Sequence, residues 1–192
     1  METVAQRLKQ LLSLRKKRCI INPDLVSAAV LVPVVYRARE PHILFTVRTE
    51  KVRDHKGEVS FPGGSHQEED GTLLNTALRE CAEEIGFGVG EVKVLGELDD
   101  VLTFASGYII TPFVAFVSDS CRYRLSRDEV EEIIEIPFSS LHGKREQNQG
   151  AIAGSDAVYS SVYHYQGQVI WGATARILDQ FLPLFARASG DE

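Results

Sequence analysis

Apolar side chains fall at Leu73, Leu74, Ala77, Leu78, Cys81, Ala82 and Ile85, the i, i+3, i+4, i+7 spacing of one helix face. Asp70 or Thr72 stands where such a helix is capped at its start, and Gly86 where it stops. Val4, Leu8, Leu11 and Leu12 have the same spacing near the N-terminus and are followed by the basic run Arg15–Arg18. Ala173–Phe185 forms a last amphipathic stretch, with Ile177, Leu178, Phe181, Leu182 and Phe185 on its inner side. Between these helices the pattern predicts strands at Ser27–Tyr36, His42–Thr49, Gly57–Ser60, Val92–Leu98, Tyr108–Val117 and Ile133–Ile136. The first two pair across a turn at Arg37–Pro41, and the last runs through Pro137 into a short helix toward Leu141. Ala157–Tyr165 and Val169–Ile170 read as a hairpin about Gln166-Gly167. Pro33 inside the first strand predicts an edge position or a bulge, because proline cannot donate to a ladder. This order gives an α/β (α+β) fold with a mixed sheet between helices. It divides into a helical arm over residues 1–22, linked by Asn22-Pro23, and one domain over residues 23–192. The arm is expected to dock on the domain; a helix lying on a membrane surface and an interaction arm are its other readings.

The polar side of the Leu73–Ile85 helix carries the candidate chemistry. At 3.6 residues per turn, Glu80, Glu83 and Glu84 fall within an arc of roughly 100°, beside the apolar stripe. Like charges this close repel, by about 0.2–0.5 kcal/mol per i, i+4 pair on a helix surface. A hard divalent cation such as Mg²⁺ or Mn²⁺ turns that repulsion into binding, because it prefers carboxylate oxygens and often shares them with substrate phosphates. A solvated acidic face is the plainer reading of Glu83-Glu84 alone. The neighbouring Gly63-Gly64, Arg79 and Gly86 favour the cation, since glycine lets backbone approach a phosphate chain closely.

Upstream, Arg48, Lys51, Arg53, His55 and Lys56 collect positive charge in an otherwise acidic chain, whose net charge is −6. Arginine offers paired donors matched to phosphate oxygens, which makes Arg48 and Arg53 candidates for positioning a phosphorylated ligand. His55 is a weaker candidate, since a loop histidine is more often a surface hydrogen-bonder. The negative balance argues against nucleic acid and anionic membrane as partners. With 192 residues and 44% apolar content the chain can bury one core. Cys19, Cys81 and Cys121 form no CxxC and no even framework, so they read as reduced thiols and point to the cytoplasm. No apolar run approaches the length of a membrane span.

Gly63 to Phe87 resembles the signature of the Nudix hydrolases: a glycine, an acid, then Arg-Glu-apolar-x-Glu-Glu-x-Gly-apolar. Arg79, Glu80, Cys81, Glu83, Glu84, Gly86 and Phe87 match position by position. The first acid falls on Asp70 in place of glutamate, and one extra residue precedes Arg79. In the family this acid pairs with the signature arginine; Asp70, Glu69 and Glu68 are all candidates for that role here. Leu44 to Gly64 is similar to the motif of the coenzyme A branch, with Arg48, Arg53, Gly57 and Phe61–Gly64 in place and Phe45 and Thr49 as mild departures. That branch also shows the extra residue, and Ile170–Leu178 looks like its C-terminal segment. The resemblance spans roughly Ser27 to Leu184.

The resemblance implies a Nudix α/β/α sandwich and hydrolysis of the diphosphate bond of coenzyme A or an acyl derivative, giving 4′-phosphopantetheine and adenosine 3′,5′-bisphosphate. It implies Mg²⁺ or Mn²⁺ held by Glu80, Glu83 and Glu84, with Glu84 acting in catalysis. Gly63, Gly64, Arg48, Arg53 and His55 would meet the substrate, while Arg79 and Asp70 would hold the loop to the helix. Family members draw their general base from a signature glutamate or from a later loop, which leaves Glu83 and Glu129 as alternatives. The partner would be this small molecule, and the protein a monomer or homodimer. A diphosphatase of the same family acting on ADP-ribose, dinucleotides or nucleoside triphosphates is the second reading. A non-catalytic nucleotide-binding regulator is the third, and the presence of all three glutamates argues against it.

Overall fold

The elements run α1 (Val4–Leu14), β1 (Val26–Arg37), β2 (Glu40–Arg48), β3 (Val59–Ser60), β4 (Gly63–Ser65), α2 (Leu73–Ile85), β5 (Val92–Glu97), β6 (Val101–Leu102), β7 (Tyr108–Val117), β8 (Val130–Pro137), α3 (Phe138–Leu141), β9 (Glu146–Asn148), β10 (Ser160–Tyr165), β11 (Gln168–Ile170) and α4 (Gly172–Ser189). The structure is a computed structural model that describes residues 3–49, 57–103, 106–148 and 160–190. Eight strands form one sheet along the path β3-β2-β1-β7-β5, with β4 beside β1, β6 beside β7 and β8 beside β2. The β1–β7 pair is parallel and the other pairs of this sheet are antiparallel, so the sheet is mixed. β9, β10 and β11 form a separate three-stranded sheet.

Helices cover both faces, and the strands record this as a period of two. Ala29, Leu31 and Val35 of β1 join the cluster under α2, with Ala77, Cys81 and Ile85. Val32 and Val34 point the other way, into a larger cluster with Leu8 and Leu12 of α1 and Ile177, Leu178, Phe181, Leu182 and Phe185 of α4. The result is an α/β/α sandwich.

Pro33 lies in the central strand and not at an edge or bulge, contrary to the sequence expectation. The Leu31 N–H donates to Pro62 O at 2.9 Å, so position 33, two residues on, faces the same flank. On that flank β1 pairs with β4 through Ala28–Val30 and with β2 through Val34–Arg37. Proline occupies the junction between two partners, where no ladder donor is needed. Pro112 of β7 repeats the arrangement between its pairing to β6 at Ile109–Ile110 and to β5 from Phe113 onward. The third strand is shorter than expected, and β8 begins at Val130, three residues earlier than its apolar run suggests. Residues 157–159 of the expected hairpin lie outside the described residues.

α1 opens with a capping box, Thr3 accepting from the Gln6 N–H while Gln6 Oε1 accepts from the Thr3 N–H. The segment after it runs along residues 97–100, held by Arg15–Asp99 at 2.8 Å and by Lys17 to Glu97 and Asp100 at 2.9 and 3.0 Å. Leu8 is fully buried against α4. Truncating Leu8 to alanine should therefore cost about 2–5 kcal/mol of unfolding free energy in denaturant titration. A loss indistinguishable from an exposed-site change would mean that α1 adds nothing to this core.

Candidate active site

Two glycines and two glutamates set the geometry. β4 lies so close to β1 that a Cβ on Gly63 would stand 2.2 Å from Ala29 O and 2.6 Å from Val30 Cα. The Gly63 N–H donates to Glu84 Oε2 at 3.1 Å. A Cβ on Gly64 would stand 2.5–2.7 Å from the carboxyl atoms of Glu80. Two carboxyl groups, one helical turn apart on α2, thus rest on backbone that has no side chains. α2 itself starts at Thr72, whose hydroxyl accepts from the Asn75 N–H, and ends at Gly86, which takes the left-handed conformation at φ 80°. The loop after β7 completes its last turn: Arg124 N–H donates to Ile85 O and Ser126 N–H to Glu84 O, both at 2.9 Å.

Arg79 ties the loop before α2 to its acidic face. Its Nε and Nη2 donate to Asp70 at 2.7 and 3.1 Å, and Nη2 also to Ser65 O at 3.2 Å. Of the three acids the sequence left open, Asp70 is the partner. The hydrogen bonds from Arg79 hold the Asp70 carboxyl well below the usual carboxylate range, against the opposing effect of burial. Arg79 Nη1 reaches Glu80 Oε1 at 2.8 Å and Glu83 Oε2 at 3.1 Å. Burial raises the Glu80 carboxyl, and this same Arg79 contact partly offsets it. Glu83 is the outermost of the three, with its side chain 58% exposed.

Glu84 is 4% exposed, and burial pushes its carboxyl up to about 8 in the absence of a cation. The Gly63 N–H and Arg48 oppose the shift; the charges of Glu80 and Glu129 add to it. Those four influences report which groups share the site. Strand pairing brings Glu129 there: Arg48 ends β2 opposite Val130 across a bulge, and the Thr49 N–H donates to Glu129 O at 3.0 Å. Arg48 Nε is buried and has no hydrogen-bond partner among the described residues. Arg53 and His55 lie outside the described residues. Sequence reasoning missed Thr76 and His66, which extend the Asp70 contacts. Thr76 sits on the buried side of α2 and carries no periodic signal that separates it from core.

Among the described residues, no three His, Cys, Asp or Glu side chains are already gathered as a metal-binding group. Glu80 and Glu83 are turned onto Arg79 instead. The donor type still fits a hard divalent cation: Glu80 and Glu84 offer carboxylate oxygens, and each feels negative charge from other glutamates of the site, Glu129 included, that a cation would offset.

Residues 26–151 match the family model described as NUDIX domain. A protein of Yersinia enterocolitica with the name "Uncharacterized Nudix hydrolase NudL" is 39% identical over 156 residues, which cover 79% of this chain and 77% of that protein. Its namesake from Citrobacter koseri is 37% identical over 152 residues, covering 79% and 78%. Among solved structures, a MutT/nudix family protein from Enterococcus faecalis superposes with a TM-score of 0.59 at 14% identity, covering 98% of this chain and 70% of that one. A C. elegans Ap4A hydrolase binary complex gives 0.51 at 17% identity, covering 60% and 82%. At these identities the solved structures speak for the fold alone.

The glycine contacts separate two substitutions. Gly63→Ala drives a Cβ into β1 backbone, which cannot yield, so the melting temperature should fall sharply. Gly64→Ala meets only the movable end of Glu80; it should fold with a near-native melting temperature and lose divalent-cation affinity, read by calorimetric titration with Mn²⁺. Equal behaviour of the two variants would contradict this geometry.

The Glu84 carboxyl also predicts a pH dependence in chelated protein. Its folded-state value of about 8 lies above the ordinary value of 4.5, so between them the folded state binds more protons than the unfolded state. The contribution is intact below about 4.5 and is lost as pH rises toward 8 and beyond. Glu84→Gln removes that loss. The variant should melt higher than the wild type at pH 8.5, by an amount on the order of a few kcal/mol in stability, and match it near pH 5. A constant difference across this range would mean that Glu84 ionises normally.

Proposed function

The chain belongs to the Nudix family of hydrolases, and on that premise we propose that it cleaves the diphosphate bond of coenzyme A or an acyl-coenzyme A. The products would be 4′-phosphopantetheine and adenosine 3′,5′-bisphosphate. The family uses divalent metal ions, and Mg²⁺ or Mn²⁺ is proposed here. The observation that carries the diphosphatase part of the reading is Arg48: its Nε is buried without a hydrogen-bond partner among the described residues and stands in the electrostatic reach of Glu84, while the coenzyme A part rests on the resemblance of the surrounding stretch. A buried guanidinium nitrogen without an acceptor costs free energy unless a ligand supplies one, and a phosphate oxygen is the matching acceptor. Closeness to Glu84 favours the diphosphate over the 3′-phosphate as the group it meets.

Glu80, Glu83 and Glu84 would hold the cation. When bound, it neutralises diphosphate charge and acidifies a water ligand. Gly63 and Gly64 would meet the diphosphate through their backbone, since the space a side chain would take at each is filled by β1 and by the Glu80 carboxyl. Glu129 is proposed as the acceptor of the proton from the attacking water, because Glu83 already accepts from Arg79. The water oxygen bonds to one phosphorus, the bridging P–O bond breaks, and the second phosphate departs with the bridging oxygen. Arg79 and Asp70 keep the loop on the helix. A cytoplasmic setting belongs to the same proposal and suits three free thiols; no described helix is long and apolar enough to cross a membrane.

The test is incubation of the protein with coenzyme A and Mg²⁺ or Mn²⁺, with products identified by mass spectrometry. Phosphopantetheine and adenosine 3′,5′-bisphosphate are expected, and neither should form with chelator present. Arg48→Ala should lower kcat/KM for coenzyme A and dephospho-coenzyme A alike, by about 10–100-fold, the worth of a charge-assisted hydrogen bond. A larger loss for coenzyme A would move Arg48 to the 3′-phosphate. Cleavage of ADP-ribose with coenzyme A untouched would replace the substrate class.

A further inference from the structure

The contacts that hold Arg79 do not end at Asp70. Thr76 is fully buried on α2, and its hydroxyl oxygen lies 2.8 Å from Asp70 Oδ2, 2.8 Å from His66 Nδ1 and 3.3 Å from Thr72 O. A hydroxyl has one proton to give. Asp70 Oδ2 is as near as His66 Nδ1, nearer than Thr72 O, and the charged one of the three acceptors, so the proton goes there. Thr76 then offers His66 only lone pairs, and Nδ1 must carry a hydrogen. With Nδ1 bare, two acceptors would face each other across 2.8 Å, or Thr76 would turn away from Asp70. The His66 backbone is anchored by its N–H to Ser27 O at 2.9 Å, which fixes the ring beside α2.

We propose that His66 and Thr76 are positioning residues for the acidic site. His66 Nδ1–H orients the Thr76 hydroxyl, and that hydroxyl joins the Gln67 N–H and Arg79 Nη2 as donors to Asp70 Oδ2. Asp70, fixed in this way, engages Nε and Nη2 of Arg79 and leaves only Nη1 for Glu80 and Glu83. An Arg79 released from Asp70 would turn more of its donors onto those two carboxylates and compete with a cation for them. The chain of contacts therefore keeps Glu80 and Glu83 available. This inference rests on the reading of Glu80 and Glu83 as cation ligands.

Two measurements test it. The first needs no metal: long-range proton–nitrogen spectra of the full-length protein with labelled histidine report which ring nitrogen of His66 bears the hydrogen. A protonated Nδ1 is expected, and the Nε2–H tautomer would overturn the proposal. The second is Mn²⁺ binding without substrate, read by the electron paramagnetic resonance of free Mn²⁺. His66→Leu removes the donor, whereas His66→Asn keeps an amide nitrogen at the Nδ1 position. His66→Leu should weaken Mn²⁺ binding roughly tenfold and His66→Asn by no more than about twofold, in line with outer-shell partners of metal ligands. Equal affinities in the two variants, strong or weak, would overturn it, since the donor would then not matter. Wild-type protein that binds no Mn²⁺, with His66 Nδ1 nonetheless protonated, would instead sink the cation-ligand reading.

Discussion

Everything at the site follows from how closely β4 lies against β1 on one side and α2 on the other. The strand has no room for a Cβ at either glycine: Ala29 and Val30 fill the space at Gly63, and the Glu80 carboxyl fills it at Gly64. That approach brings a backbone N–H to Glu84 and lays bare backbone along the acidic face of the helix. A larger residue at Gly63 would push β4 off β1, and one at Gly64 would displace the Glu80 carboxyl from its place on the strand. Burial of Cys81 and Ile85 against β1 supplies the apolar energy that presses α2 into place.

Shelter has an electrostatic cost. Taking Glu84 out of water raises its carboxyl, and Glu80 and Glu129 add their own repulsion. Arg79 offsets part of this at Glu80, while Asp70 keeps that arginine from neutralising the face outright. The site is thus stable enough to fold yet left short of positive charge, which is the condition under which a divalent cation binds strongly. The same burial is the reason that Glu84 is expected to weaken the metal-free fold as pH rises.

Much of this was legible locally. The helix from Leu73 to Ile85, its stop at Gly86 and the clustering of Glu80, Glu83 and Glu84 follow from a 3.6-residue period and from glycine's freedom at positive φ. Strands with β-branched runs also declared themselves. Pro33 does not mark an edge or a bulge, because a long strand can change neighbours along one flank; Pro33 and Pro112 both sit at such a change. β4 went unread since Gly63-Gly64-Ser65 carries none of the side chains by which strands are recognised.

The sequence by itself determined the direction of each carboxylate on the helix, the place of the glycine pair before it, and membership of a fold with helices on both faces of a mixed sheet. These depend on intervals along the chain, which the backbone geometry converts directly into angles. Tertiary structure alone decided that Asp70 rather than Glu68 or Glu69 takes Arg79, that Glu84 is buried while Glu83 is exposed, and that Glu129 and Arg48 meet the helix from across the sheet. Those outcomes depend on what stands opposite each side chain, and the partners come from distant segments, Glu129 lying 45 residues beyond Glu84. A period fixes where a side chain points; only packing fixes what it finds there.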